Sequence, residues 1–158
     1  MKPIKTILLS VCMAASVGAM DTSAKTVDAT SPSGLISITV DDTEGLNMSL
    51  SREDRLLLRQ SPITLKSSGN KFVSKHSKIV KSSLKKGLKE KISAPFHHTP
   101  EFDTEWNELN VHLSNGQTVT FRLFDDGVAY RFSTDNKEDQ TIYSEVATYR
   151  LAGDPILY

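Results

Sequence analysis

The stretch that decides the fold is residues 108–133, ELNVHLSNGQTVTFRLFDDGVAYRFS. Apolar and polar residues alternate through it in three runs, which is the period of a β-strand with one buried face. Asn115-Gly116 separates the first two runs, and Asn-Gly between alternating runs is a strong signal for a β-hairpin. Asp126-Gly127 separates the second run from the third. The sequence therefore predicts a three-stranded antiparallel meander.

The register of the second hairpin follows from its large side chains. A two-residue turn at 126–127 places Phe121 opposite Phe132 and keeps the apolar residues on one face. It also places Arg122 opposite Arg131. Like charges in that position are destabilising unless an acidic group lies beside them. The sequence offers five acidic candidates, namely Asp103, Glu105, Glu108, Asp125 and Asp126.

Two interpretations of this arginine pair stay open. In the first, Arg122 and Arg131 reach into solvent with their stems over the sheet. In the second, another layer or a partner domain covers them, and its carboxylates bind the guanidinium groups. Nearby aromatic residues, Phe96, Phe102 and Trp106, could fill a core or contact a sugar ring. We therefore treat Arg122, Arg131 and Trp106 as candidate interdomain or sugar contacts.

Upstream of the meander the sequence predicts further strands. Residues 35–40 and 46–51 alternate on either side of a glycine-containing turn, which indicates another hairpin. Short apolar runs follow at 55–59 and 61–66. Because proline has no N–H to donate, Pro62 is expected at a strand start or a sheet edge.

Two other segments are less regular. Residues 20–34 are small and polar, so they predict a flexible lead-in, with the ordered domain running from 35 to 158. Residues 66–94 are rich in lysine, and their apolar residues recur at spacings near four. That spacing fits an amphipathic helix, but Gly87 and the many serines favour short, exposed strands and loops.

The first residues have the layout of a secretory signal peptide. Lys2 and Lys5 precede an uncharged run, which ends in small residues before a cleavage position after Ala19. The run is too short for a transmembrane helix, which needs about 20 apolar residues. Residues 1–19 therefore predict export to the periplasm or the medium, with no membrane span in the mature chain. The single cysteine, Cys12, leaves with the signal, so no disulfide is expected.

Composition excludes some classes of function. The 19 basic and 19 acidic residues balance, so nothing attracts the chain as a whole to nucleic acid. His97 and His98 are adjacent, and on an extended segment their side chains point to opposite sides, which argues against a shared metal ion. Asp125 and Asp126 are better explained as turn formers than as a glycosidase carboxylate pair. We expect no metal and no cofactor in this chain.

Four stretches together resemble a known family. They are SPSGLISITV at 31–40, Ser-Pro at 61–62, WNEL at 106–109 and FRLFDDGVAYRF at 121–132. Their order and sequence are similar to the N-terminal domain of glycoside hydrolase family 97, the exported α-glucosidases and α-galactosidases best known in Bacteroidetes. The resemblance implies a mainly β fold, an antiparallel β-sandwich that forms part of a galactose-mutarotase-like β-supersandwich and is incomplete here.

The resemblance also sets the functional expectation. Family members carry their catalytic carboxylates in a central (β/α)₈ barrel, and calcium assists many of them. Such a barrel typically needs about 250 residues, so it does not fit into this chain beside a sandwich. We expect a portion of an α-glycosidase that supports its own barrel domain, has no catalytic residue and is inactive alone. The alternative is a small secreted module that binds carbohydrate or protein.

Overall fold

The computed structural model describes residues 24–68, 73, 76–93, 101–135 and 137–154. Within these ranges the chain forms ten β-strands and no α-helix. The strands are β1 (Thr26–Thr30), β2 (Ile36–Asp41), β3 (Leu46–Arg52), β4 (Arg55–Ser67), β5 (Ile79–Ser93), β6 (Glu101–Leu113), β7 (Gln117–Leu123), β8 (Val128–Thr134), β9 (Ile142–Val146) and β10 (Tyr149–Leu151).

The strands form two antiparallel sheets. The first has the order β1-β2-β3-β4-β10, and β9 also pairs with β4. The second has the order β5-β6-β7-β8. The expectation of a mainly β, antiparallel sandwich is therefore confirmed.

The core lies between the two sheets because alternate residues of each strand point inward. Ile38 and Val40 come from the first sheet, and Val111, Val119 and Phe121 come from the second. All five are at most 1% exposed. Burial of such side chains stabilises a domain by roughly 1.5–3 kcal/mol each. The apolar residues that alternate with polar ones in the sequence are therefore the residues that fill the core.

A buried carboxylate connects the two sheets. Asp42 is 1% exposed, and its Oδ1 accepts a hydrogen bond of 2.8 Å from the N–H of Lys25. Its Oδ2 accepts one of 2.8 Å from the N–H of Ile79, at the start of β5. The Lys78 ammonium lies 3.7 Å from Oδ1. Asp42 therefore fixes the start of the second sheet against the first.

The predicted meander is confirmed, but the register that we predicted for its second hairpin is wrong. Phe121 lies opposite Tyr130, Arg122 opposite Ala129, and Thr120 opposite Arg131. The loop has four residues, 124–127, instead of two, and the N–H of Phe124 donates to the carbonyl of Gly127 at 2.8 Å. A slip of two residues keeps every side chain on its face, so the pattern of alternation does not distinguish the two registers.

The ordered domain begins earlier than residue 35. Residues 26–30 form β1, which pairs along its full length with β2. Ala29 of β1 is 4% exposed and belongs to the core. Small and polar residues in this segment suggested a flexible lead-in, but pairing with a neighbouring strand decides the structure of such a short segment.

The two short runs around Pro62 form one strand, β4, so the prediction that Pro62 begins a strand or lies on a sheet edge is wrong. Pairing of β4 with β10 ends at Gln60, and pairing with β9 begins at Thr64. On the other side, the ladder with β3 shifts register between Gln60 and Ile63. Pro62 has no partner in any of these ladders, so its missing N–H costs no hydrogen bond.

The lysine-rich segment contains a strand, as favoured over the helix. Strand β5 spans 15 residues and pairs with β6, which makes it longer than expected. The ladder is irregular between Lys85 and Leu88, and Gly87 there has a φ of 65°. Glycine adopts such angles at no steric cost, so Gly87 suits an irregularity in a strand and not the interior of a helix.

Candidate functional site

The candidate contacts Trp106, Arg122 and Arg131 lie on one face of the second sheet. Val119, Phe121 and Leu123 of β7 point into the core. The residues between them, including Arg122, therefore point away from it. We call this surface the arginine face and define it by Trp106, Glu108, Thr120, Arg122, Ala129 and Arg131.

Glu108 is the acidic partner of Arg122. The two residues lie directly opposite each other on β6 and β7. Nε of Arg122 donates to Oε2 of Glu108 at 3.2 Å. The Lys85 ammonium is 4.0 Å from Oε1. The sequence placed Glu108 among five candidates and could not choose, because the choice depends on the register between β6 and β7.

The ionised form of Glu108 is favoured in this position. Burial of the carboxyl raises its pKa, but hydrogen bonds from Asn110 and Arg122 and the charges of Arg122 and Lys85 act the other way. The balance lowers the pKa of Glu108 below its ordinary value. Glu108 is thus held as a carboxylate, which is the form that neutralises Arg122.

Trp106 is covered by its neighbours. The guanidinium carbon of Arg122 lies 4.7 Å from the centre of the Trp106 ring, a cation–π contact. Phe124 packs against the ring with a centroid distance of 5.9 Å. Trp106 is only 6% exposed, so its ring face is not free to stack on a sugar. Its Nε1 is buried and has no hydrogen-bond partner in the described part of the chain.

Arg131 differs from Arg122 in its surroundings. It lies opposite Thr120, is exposed, and forms no ion pair or hydrogen bond among the residues that the structure describes. A shallow cavity of about 110 Å³ lies between the two arginines. Thr120, Arg122, Ala129, Tyr130 and Arg131 line it. The two guanidinium groups thus border one small concave surface although they do not face each other directly.

Two of the other predicted acidic candidates, Asp125 and Glu105, have partners other than the arginines. Oδ1 of Asp125 accepts hydrogen bonds from the N–H of Ser33 at 3.0 Å and from its hydroxyl at 2.6 Å. These bonds, with one from Ser31, lower the pKa of Asp125. Glu105 forms an exposed salt bridge of 3.1 Å with Lys89. Asp125 therefore connects the 124–127 loop to the other sheet and does not contact the arginines.

Of the two remaining aromatic candidates, Phe102 lies among the described residues and Phe96 does not. Phe102 is on β6 and 42% exposed. Phe96, His97 and His98 lie outside the described residues.

Among the residues described, His, Asp and Glu gather nowhere in a group of three or more that could hold a metal ion. The same residues include no helix long and apolar enough to cross a membrane.

One side of the sandwich has an incompletely covered core. Ile38, Leu50 and Leu58 lie in one row across the first sheet, and Leu151 of β10 ends that row. Exposure rises along it, from 1% for Ile38 to 40% for Leu151. The second sheet shows the same trend, since Phe121 is buried and its neighbour Tyr130 is only partly buried. We call this region the open side and define it by Leu58, Tyr130, Phe132, Tyr149 and Leu151.

A polar network that the sequence did not predict lies at the open side. Gln60 is fully buried, and its Nε2 donates to the hydroxyls of Tyr130 and Tyr149, each at 3.2 Å. The Tyr130 hydroxyl donates to Glu145 at 2.7 Å. Burial and the hydrogen bond with Glu145 raise the pKa of Tyr130. Oε1 of Gln60 is buried without a partner in the described structure.

Comparison with known proteins shows the family to which the chain belongs. The model of the glycosyl-hydrolase 97 N-terminal family matches residues 29–158. The match covers most of the chain and includes the arginine face and the open side. The chain therefore belongs to the N-terminal domain family of glycosyl hydrolase 97, as the resemblance in the sequence implied.

Individual relatives agree with this assignment. A retaining α-galactosidase of Bacteroides thetaiotaomicron is 27% identical over 154 residues, which are 98% of this chain and 22% of the relative. A family 97 enzyme from Pseudoalteromonas sp. strain K8, solved with panose, has a TM-score of 0.63 at 20% identity, over 77% of this chain and 20% of the enzyme. A β-arabinopyranosidase structure has a TM-score of 0.66 at 19% identity, over 75% of this chain and 20% of that protein. The chain spans about a fifth of each relative.

Proposed function

We propose that this chain is the exported N-terminal β-sandwich portion of a family 97-like α-glycosidase, and that it supports the catalytic barrel of that enzyme. The observation that carries this proposal is the open side. Inward-pointing side chains there are up to 55% exposed, as in Tyr149. A sandwich core is stable when both inner faces are covered, so the open side fits a domain that packs against further chain.

The share of the relatives that the chain spans supports the same proposal. The retaining α-galactosidase of Bacteroides thetaiotaomicron is more than four times as long as the matched region. A catalytic (β/α)₈ barrel of about 250 residues fits only in the remainder of such a protein. In our proposal the barrel binds and hydrolyses an α-linked oligosaccharide, and the sandwich supplies none of the catalytic carboxylates.

The calcium ion that the resemblance implies for the full-length enzyme does not fit the described part of this chain. No three potential ligands among its His, Asp and Glu residues come together there. We therefore propose no step that uses calcium through the described residues, and we propose the ion for the full-length enzyme.

We propose that the protein is exported to the periplasm or the medium. Lys2, Lys5 and the uncharged run before Ala19 support cleavage by a signal peptidase. The test is N-terminal sequencing of the protein recovered from the periplasm or the medium. A sequence that begins at Met20 supports the proposal, and an intact N-terminus in the cytoplasm contradicts it.

An activity assay tests the functional proposal. The full chain is incubated with p-nitrophenyl α-galactoside and α-glucoside, each with and without calcium, beside the Bacteroides thetaiotaomicron enzyme as a positive control. We expect release of p-nitrophenol by the control alone. Robust turnover by this chain would refute the proposal, because the catalytic groups would then lie within these 158 residues.

A genetic test is independent of folding. The DNA that follows the codon of Tyr158 is sequenced and translated in all three forward frames. We expect it to encode a (β/α)₈ barrel, in frame or shifted. An unrelated gene there, in an organism with no such barrel nearby, would support the alternative of a small secreted binding module.

A further inference from the structure

The arginine face carries more positive charge than its own residues neutralise. Glu108 accepts one hydrogen bond from Arg122, and that bond uses Nε only. The terminal nitrogens of Arg122 and the whole guanidinium of Arg131 have no partner among the described residues. Two like charges near one surface repel each other, so an additional negative group between them would stabilise the arrangement.

Arg122 is held in place before any ligand arrives. The ion pair with Glu108 fixes Nε at 3.2 Å, and the Trp106 ring supports the guanidinium plane at 4.7 Å. Its side chain is 37% exposed, so one edge remains accessible. An arginine fixed in this way loses little side-chain entropy on binding, which favours affinity. Arg131, which is exposed, can adjust to the ligand.

The cavity limits the size of the group that can enter it. Its volume is about 110 Å³, with Thr120 and Ala129 between the arginines. A cavity of about 150 Å³ in another protein accommodates a benzene molecule, so this one is too small to enclose a sugar ring. A carboxylate with one or two methylene groups fits it. Two guanidinium groups that border one cavity can also donate to both oxygens of a carboxylate, one oxygen each, through charge-assisted hydrogen bonds.

We propose that the cavity between Arg122 and Arg131 is a binding site for a carboxylate, and that it takes the end of an acidic side chain presented by a partner polypeptide. One carboxylate oxygen binds a terminal nitrogen of Arg122, and the other binds Arg131. The Thr120 hydroxyl already donates to Asn110 at 2.7 Å, so the two arginines provide the attraction. This site does not depend on the family assignment, since it follows from the geometry of β7 and β8.

The single tryptophan of the chain reports on this site. Trp106 contacts Arg122 directly, and no other tryptophan contributes to the emission. The full chain is titrated with sodium acetate, with sodium chloride in exchange to keep the ionic strength constant, and tryptophan fluorescence is recorded. Acetamide, which has the same shape and no charge, is the matched neutral probe. We expect a saturable change with acetate and none with acetamide.

Variants assign the response to the cavity. Arg131→Gln should weaken acetate binding about tenfold or more, because it removes a charge-assisted hydrogen bond. Arg131→Lys keeps the charge but loses the planar guanidinium group. Its affinity for acetate should therefore lie between that of the unmodified chain and that of Arg131→Gln. Arg150→Gln removes an equal charge from β10 of the other sheet and should bind acetate like the unmodified chain. Arg131 is exposed, so its variants keep the fold, and circular dichroism checks this.

Three results of the acetate titrations would overturn the proposal. They are a linear response to acetate, an equal response to acetamide, and unchanged affinity in Arg131→Gln. Glucuronate and glucose test the source of the carboxylate. Glucuronate that binds no more tightly than acetate supports the side-chain assignment, and markedly tighter binding of glucuronate overturns it in favour of an acidic sugar. Glucose should have no effect.

Discussion

At the scale of single residues, two arginines on one face have different roles because their neighbours differ. Arg122 is paired with Glu108 and packed on Trp106. Arg131 has Thr120 opposite it and no ionic partner among the described residues. The composition of the chain is electrically neutral, so this local excess of positive charge appears only when the strands are paired.

Replacement of Glu108 by Gln should destabilise the chain by about 1–2 kcal/mol at pH 7, because the acceptor of the Arg122 hydrogen bond loses its negative charge. The pKa of Glu108 is lowered in the folded state, so its contribution is present above the unfolded pKa of about 4.3 and disappears as the pH falls through the folded value. Urea denaturation followed by Trp106 fluorescence at pH 7 and near pH 3 measures this difference.

The matched control is Glu105→Gln, which removes an exposed salt bridge with Lys89. Its effect should be under about 0.5 kcal/mol at either pH, because exposed pairs contribute little. Equal effects of the two substitutions at pH 7 would contradict the role given to Glu108.

Replacement of Asp42 by Ala should cost about 2–4 kcal/mol. The substitution leaves the N–H groups of Lys25 and Ile79 without their acceptor, and each unsatisfied buried donor costs about 1–3 kcal/mol. Thermal and urea denaturation measure the loss. Asp41→Ala is the control, since the hydrogen bonds that Asp41 accepts from described residues come from its own turn, at Thr43 and Asn47. A loss no larger than that of the control would contradict the role of Asp42.

At the scale of elements, alternation in the sequence predicts the strands but not their partners. The meander and the 35–51 hairpin are present as predicted, because their period-two pattern directs the apolar side chains of each strand toward the core. The register between β7 and β8 could not be predicted, since a slip of two residues buries the same side chains. Strand β1 could not be predicted either, because its pairing with β2 is a tertiary interaction that local composition does not encode.

Two glycines distinguish the observed hairpin loops from the expected ones. Gly116 has a φ of 80°, whereas the φ of Gly127 is not positive, and a Cβ added at either position would meet no other atom within 4 Å. Gly116→Ala should therefore cost about 1–2 kcal/mol through backbone strain alone. Gly127→Ala should be neutral or slightly stabilising. Urea denaturation of both variants measures the contrast.

The opposite order would contradict the observed register. A two-residue Asp126-Gly127 turn needs a positive φ at both residues, so in that arrangement the Gly127 substitution would be the costly one. The pair of variants thus tests the four-residue loop without any structure determination.

At the scale of the whole molecule, the sandwich is complete on one side and open on the other. Core residues of β2, β3, β6 and β7 are buried, whereas every described residue of β9 and β10 is exposed. Our proposal that this domain packs against the rest of a family 97-like enzyme would account for this asymmetry. The sequence indicated the alternation on each strand, but the open side became visible only when the two sheets were set face to face.

Hydrogen exchange of the full chain, followed by mass spectrometry at neutral pH, tests the open side most directly. Protection depends on the free energy of local opening, which is low where few apolar contacts hold a strand. We predict slow exchange in β2, β3, β6 and β7, and exchange faster by roughly two orders of magnitude or more in β9 and β10. Uniform protection across all of these strands would contradict the account, because the core would then be closed without any further chain.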